Sequence, residues 1–506
     1  MTIEKTGMLV AMFMYLAGMI WIGFKVADKN KTMGDFFLGG RGLGPFVTAM
    51  SAEASDMSSW LLMGLPGVAY LSGLADAGWT AIGLAWGTYV NWLIVAKRLR
   101  MYSEKIGAIT IPEFFAKRHH DKSNILMLVS SIVIVIFFVP YTASGFSACG
   151  KLFNSLFGMD YHLAMIISAI VIIAYTTLGG FLAASTTDFI QSIVMSIALI
   201  IVITFGLMSV DGWSVVMDNA RNLPGYLSMT KSFDVTSGTS VTYSALTIAS
   251  TMAWGLGYFG MPHVLLRFMA IEDSEDLKLS RRVASVWVVI SMAVAVLIGV
   301  VGLGMSKGGV ITTLEGNASE TIIVCIASKL AEHGLLFALI AGVVLSGILA
   351  STMSTADSQL LAASSAIAND ILLNVCHVKW DEKKLLKVSR ISLVIIALIG
   401  IVLAWNPDSS VFRIVSFAWA GFGASFGPVM LTSLYWRRSN AQGAMAGMIT
   451  GGVMIFVWKF PVRPMGGLWN IYELLPAFLT ALLVNVVVSL LTSAPEDSVL
   501  VEYDSL

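Results

Sequence analysis

The chain has 506 residues, of which 57% are hydrophobic and 12% charged, with 31 basic against 31 acidic side chains. So few charges cannot cover the surface of a water-soluble globule of this length. The zero net charge offers no excess for nucleic acid or for a basic partner. What remains is an all-α polytopic membrane protein. Cys149, Cys325 and Cys376 are far apart and outside any CxxC pattern, so neither a disulfide framework nor a zinc site is expected. There is no P-loop to suggest ATP as the energy source.

A helix needs about 20 apolar residues to cross a bilayer. Thirteen stretches qualify: 7–27, 44–70, 76–96, 124–148, 161–179, 189–209, 241–266, 283–305, 335–365, 389–405, 411–436, 441–458 and 470–493. The first is too long for a signal-peptide core and lacks an A-x-A site, so it is expected to be retained. The largest pieces left between stretches are 210–240 and 306–334, neither of them a soluble domain.

Basic residues orient the bundle. With the N-terminus outside and the C-terminus inside, 22 of the 31 fall inside. These are Lys25, Lys29, Lys31 and Arg41, then seven from Lys97 to Lys122, four from Arg267 to Arg282, five from Lys379 to Arg390, and Arg437 with Arg438. An odd number of crossings is required for that asymmetry. No transit-peptide features or glycosylation-rich loops are present, which fits a bacterial inner membrane.

Three stretches depart from a uniformly apolar pattern. The second, GPFVTAMSAEASDMSSWLLMGLPG, carries Glu53, Asp56 and four serines, then Gly64, Pro66 and Gly67. The ninth packs Ser351, Thr352, Ser354, Thr355, Asp357 and Ser358 into eight positions. The seventh, TMAWGLGYFGMPHVLLRFMA, holds Gly255, Gly257, Gly260 and Pro262. A carboxylate at bilayer depth costs at least about 2.5 kcal/mol and faces a cavity or a cation. Gly and Pro release carbonyls from the helix ladder, tolerated only where they line a cavity or find partners. Carbonyls with Ser and Thr hydroxyls make a hard oxygen cage for an alkali cation, and broken helices near the midplane are the pattern of secondary transporters.

Each feature also has a plainer reading. Single serines and threonines hydrogen-bond neighbouring helices. The glycines and Pro262 can make a simple kink. Trp254 and Tyr258, four apart, share a helix face that either lines a small, partly apolar substrate or packs against neighbours. Asp188, in ASTTDFIQS at the inner end of the sixth stretch, reads as a helix N-cap or as a cation way-station. No basic residue is expected in the central parts of these stretches.

FLGGRGLGPFVTAMSAEASDMSSWLLMGLPG, LAASTTDFIQS, WGLGYFGMPHVLLRFMA and MSTADSQLL resemble the sodium–solute symporter family, most closely its bacterial proline carriers, over nearly the whole chain. The resemblance implies a leucine-transporter fold of five-plus-five inverted repeats, helices 2–6 (44–209) and 7–11 (241–436). Helix 1 (1–43) and helices 12 and 13 (437–506) would be additions within one transporter domain. It implies Na⁺ as the coupling ion, held by carbonyls of Ala54, Met57 and Ser351 and hydroxyls of Ser354 and Thr355. Asp56 and Asp188 match acidic residues on the ion path, which Asp357 extends by position. Ser58, Tyr141, Trp254, Tyr258, Met261 and Pro262 match positions that shape the substrate pocket.

The chain departs from that pattern. Met261 stands where the proline carriers have Gln, Ser59 where Gly is common, and Glu53 where a small or amide residue is. Ser351 replaces Ala, and Asp357 adds a carboxylate to the ion-site helix. The expected function is sodium-coupled import of a small zwitterion, L-proline foremost, by alternating access and without covalent chemistry. The alternatives are another amino acid, a betaine or another small organic solute, and proton coupling through Asp56 or Asp357. The expected partners are the solute, Na⁺ and the lipid bilayer, with no nucleic acid and no obligate protein.

Overall fold

The computed structural model describes residues 2–27, 31–210 and 212–506. Lys29, one of the basic residues used for orientation, lies outside them. Each of the thirteen stretches is a helix or a short series of helices. Span 1 is Ile3–Ala27. Span 2 comprises Pro45–Ser59, Trp60–Gly64 and Leu65–Ser72, and span 3 comprises Leu74–Val90, Asn91–Ala96 and Lys97–Lys105. Span 4 is Ile125–Phe157. Spans 5 and 6 share one rod, Tyr161–Met208, broken at Gly180, where φ is +60° and ψ −162°. Span 7 comprises Ala245–Met252, Ala253–Gly260 and Pro262–Ala270. Span 8 is Leu277–Lys307, and span 9 is Leu335–Ser365 continued by Ala366–Val375. Spans 10 to 13 are Glu382–Leu403, Val411–Tyr435, Ala441–Val457 and Leu474–Leu491.

Nine helices among the described residues have the length and apolar composition to cross a membrane. Spans 2, 3, 5 and 7 fall outside that test for identifiable reasons. Spans 2 and 7 are broken, span 3 is diluted by Asp76, Thr80, Thr88 and Asn91, and span 5 stops before Gly180. The expected start of the seventh stretch at 241 falls in a hairpin, where Lys231–Asp234 pairs antiparallel with Thr239–Thr242. The β-branched TSVT segment prefers the strand. The helix begins at Ala245, behind Ser244, whose hydroxyl caps it by accepting from the Thr247 amide at 3.2 Å.

Loops collect on two faces. On one, Arg41 donates to the carbonyls of Ala108 (2.7 Å) and Met269 (2.6 Å). The last helix, Asp497–Asp504, lies on the same face, with Asp504 bound to Arg437 at 2.9 Å and the Tyr503 ring against Arg98 and Arg118. We call this the basic face. On the opposite face the Leu74 amide bonds the Tyr226 carbonyl (2.8 Å), and Gly7 packs on Ala338 at the start of span 9. Gly7 and the helix Asp497–Asp504 thus lie on opposite faces.

Span 9 packs against spans 1, 2 and 4 and the rod of spans 5 and 6, and forms the core of the bundle. Span 7 lies flush on span 3. A Cβ at Gly83 would come 2.5 Å from the Met252 carbonyl oxygen, and one at Gly87 would come 2.3 Å from that of Gly255. Only glycine permits so close an approach of two backbones.

Candidate functional site

Spans 2 and 9 meet in a cluster of oxygens. The Ser354 hydroxyl donates to the Ala54 carbonyl at 2.8 Å, and the Thr355 hydroxyl to the Ser351 carbonyl at 3.1 Å. Ser354 also reaches the Ser351 carbonyl, at 3.3 Å. Of the residues expected around a sodium ion, Ala54 and Ser354 meet across the two spans, Ser351 and Thr355 lie within one turn of Ser354, and Met57 directs its carbonyl to the Trp60 amide across the break. The converging donors are all hard oxygens, without nitrogen or sulfur, which suits a hard cation.

The two breaks have local causes. Ser58 holds φ +51° and ψ −174°, a conformation that side chains rarely adopt, and its hydroxyl accepts from the Trp60 amide at 3.1 Å. In span 7, Pro262 forces Met261 out of the helical region, to φ −79° and ψ +106°, and then serves as the first residue of the next helix.

Around these breaks lie buried polar atoms without a hydrogen-bond partner among the described residues, Ser59 Oγ, Trp60 Nε1 and both ring nitrogens of His263, beside the Tyr258 hydroxyl and the Asp56 carboxylate, which face each other. Buried polar groups are satisfied nine times in ten, so such a cluster marks a place built for a ligand. The Tyr141 hydroxyl, from span 4, donates to the Asp56 carbonyl at 3.0 Å, tying it to the break.

The aromatic wall differs from the helical-face expectation. Ala253–Gly260 is a 3₁₀ helix with three residues per turn, which rotates Trp254 and Tyr258 off a common face. Trp254 stacks on Tyr472 at 5.2 Å and lies 5.5 Å from both Trp60 and Phe412, ring centre to ring centre. Tyr258 meets Trp419 edge-on at 5.0 Å, beside Asp56. Trp60, Phe412, Trp419 and Tyr472 are additions that sequence reasoning missed. Trp60 directly follows the serine-rich break, and that adjacency was a readable signal.

Glu53 is held by span 3. Its Oε1 accepts from Thr88 (2.9 Å) and Trp92 (2.8 Å) of span 3. Asp357 accepts from Tyr175 at 2.5 Å and from its neighbour Ser358 at 3.0 Å.

Two expectations are corrected toward the basic face. Arg267 does not sit in a loop but is fully buried, paired with Asp188 at 3.0 Å. It also donates to Ser51 (3.0 Å) and Ser358 (2.5 Å). Helical side chains tilt toward the helix N-terminus, and that tilt carries this guanidinium from the end of span 7 into the bundle. Asp188 is not an N-cap. It lies eight residues beyond the Gly180 break inside a continuing helix, where Thr186 and Thr187 bond back to Leu182 and Ala183. The ion pair and its hydrogen bonds to Ser51 and Ser358 join spans 2, 6, 7 and 9. On the opposite face a cavity of about 770 Å³ descends past Asp76, Glu320, Arg413 and Glu473 to Phe412, beside Trp254.

The sodium:solute symporter family profile matches residues 36–451. This chain belongs to the sodium:solute symporter family. It is 39% identical over 498 residues to a Staphylococcus aureus protein named sodium/proline symporter, covering 97% of this chain and 93% of that one. It is 40% identical over 489 residues to the osmoregulated proline transporter OpuE of Bacillus subtilis, covering 96% and 95%. Among solved structures, a Na⁺-coupled sialic acid symporter, described as substrate-bound and outward-open, superposes with a TM-score of 0.77 at 18% identity, covering 98% of this chain and 99% of that one. The nucleobase–cation symporter Mhp1 superposes with a TM-score of 0.54 at 12% identity, covering 94% and 99%. These two likenesses show the shared leucine-transporter fold.

Proposed function

We propose that this family member imports L-proline together with Na⁺ across a bacterial cytoplasmic (inner) membrane, with its basic face and C-terminus in the cytoplasm and its N-terminus outside. The observation that carries the reading is near-full-length identity of about 40% to two proline transporters. The hard-oxygen cluster between spans 2 and 9 supports it.

Na⁺ binds to Ala54, Ser351, Ser354 and Thr355, with Met57 completing the set, and Asp56, Asp188 and Asp357 mark its path. The ion draws the broken part of span 2 onto span 9. The substrate lies between the breaks, among Ser58, Tyr141, Trp254, Tyr258, Met261 and Pro262. Its carboxylate lies near the break in span 2, where a half-helix N-terminus favours an anion. Residues 44–209 and 241–436 act as two inverted repeats, and 1–43 and 437–506 as additions to one transporter domain. Opening of the Arg267–Asp188 closure releases both solutes to the cytoplasm. No covalent step is involved, so the protein is a carrier and not an enzyme.

The driving force is sufficient. One charge moving through 100 mV is worth about 2.3 kcal/mol, and a tenfold sodium gradient adds about 1.4 kcal/mol. Together they sustain accumulation of several hundredfold for one Na⁺ per proline.

The test is uptake of labelled L-proline into proteoliposomes, with and without an inward sodium gradient at constant pH. Saturable, sodium-dependent uptake is expected. Sodium binding without proline uptake would retain the symporter and point to Met261, Ser59 and Glu53 as residues that set a different substrate. Uptake driven equally by a proton gradient without sodium would overturn the coupling.

A further inference from the structure

We infer that His263 is a substrate-binding residue that donates a hydrogen bond to the carboxylate of the transported solute. The inference rests on the site proposed above and adds a residue to it.

His263 follows Pro262 in the first turn of Pro262–Ala270, a nine-residue helix. It is fully buried. Neither ring nitrogen has a hydrogen-bond partner among the described residues, although the Ser55 carbonyl lies beside the ring without hydrogen-bond geometry. An imidazole always carries at least one N–H donor, and burying it unpaired is costly. Packing alone does not explain the choice, since an apolar ring would fill the same space.

The surroundings identify the ligand class. The ring lies 5.5 Å from Phe138 and 6.5 Å from Tyr141, centre to centre, and Tyr141 holds the break of span 2 through the Asp56 carbonyl. His263 therefore faces the space between the two breaks. It does so from a helix N-terminus whose Pro262 has no N–H and whose first free amides point the same way, an anion-favouring end. Arg267, one turn along the same helix, is already committed to Asp188 and leaves the carboxylate to His263. An orphaned donor at a helix N-terminus fits a small carboxylate.

The experiment compares proline with prolinamide, which replaces the carboxylate by a carboxamide, as competitors for sodium-driven proline uptake in proteoliposomes. In the parent protein proline should compete far better. In His263→Ala the proline KM should rise about tenfold to a hundredfold, and the preference over prolinamide should shrink at least tenfold. Half-saturating sodium should stay within about threefold. His263→Asn keeps an N–H donor and should recover most of the preference. If His263→Ala does not fold, His263→Phe fills the space without a donor and should behave as described for alanine. Retention of the full preference in the donor-free variants overturns the assignment, as does equal loss in His263→Asn and His263→Phe. Absence of proline uptake by the parent protein defeats the functional reading itself, a result distinct from either.

Discussion

Removal of the Arg267 guanidinium should open the basic face of the site. The guanidinium lies 3.0 Å from Asp188 with both side chains buried. At an effective dielectric of about 20, two charges at that distance attract by about 5 kcal/mol. Stripping one partner from a buried pair typically costs 3–5 kcal/mol, because the other charge is left uncompensated. That cost falls on the closed state, since opening admits water to Asp188. Arg267→Ala should therefore shift the equilibrium toward opening by about a hundredfold to a few thousandfold. A cysteine placed at Ser55, buried one turn from Ser51 on span 2, reports the change. The background needs Cys376→Ser and Cys325→Ser, because Cys376 is exposed and Cys325 partly so, whereas Cys149 is buried. An impermeant thiol reagent applied to the basic face should label the Arg267→Ala protein at least tenfold faster than its parent, and coupled uptake should collapse. Equal labelling rates, or faster labelling from the opposite face only, would refute the closure.

Thr355→Ala removes one oxygen from the spans 2 and 9 cluster and should raise half-saturating sodium at least tenfold, read from proline uptake at varied sodium; a change confined to proline affinity would contradict the ion assignment. Gly87→Val sets a side chain 2.3 Å from the Gly255 carbonyl oxygen and should abolish uptake and lower the thermal midpoint, whereas Gly18→Ala enters open space and should change neither. Tyr503→Ala, which removes the ring lying against Arg98 and Arg118, should make the loop between spans 3 and 4 more susceptible to protease from the basic face. Arg437 holds the Asp504 carboxyl below its usual range, so that neighbouring contact should persist at neutral pH and be lost only as pH falls through the lowered value.

Most of the helical stretches were legible because they are runs of apolar residues, and hydropathy is a local property. The break in span 7 was legible for a similar reason, since Pro262 dictates the backbone of its predecessor. The Arg267–Asp188 pair was not. Seventy-nine residues separate its members, and Arg267 reads in sequence as an ordinary loop-side charge, its inward reach depending on helix direction. Nor was the 3₁₀ winding of Ala253–Gly260, which breaks the four-residue spacing of Trp254 and Tyr258. The partners of Trp254 come from spans 2 and 11 and the approach to span 13, and only the assembled bundle brings Trp60, Phe412 and Tyr472 to one place.

The bare contact between spans 3 and 7 has a bearing on how this protein can vary. Gly83, Gly87 and Gly255 already carry the smallest side chain available, on both sides of the junction. At an ordinary packed interface a larger residue on one helix is answered by a smaller one on its neighbour, and lineages drift through such exchanges. No answering change exists here, because nothing on the facing helix remains to be cut back. These positions are therefore frozen for a reason unrelated to sodium or solute, and substrate preference must diverge through residues such as Met261 that do not bear on that seam.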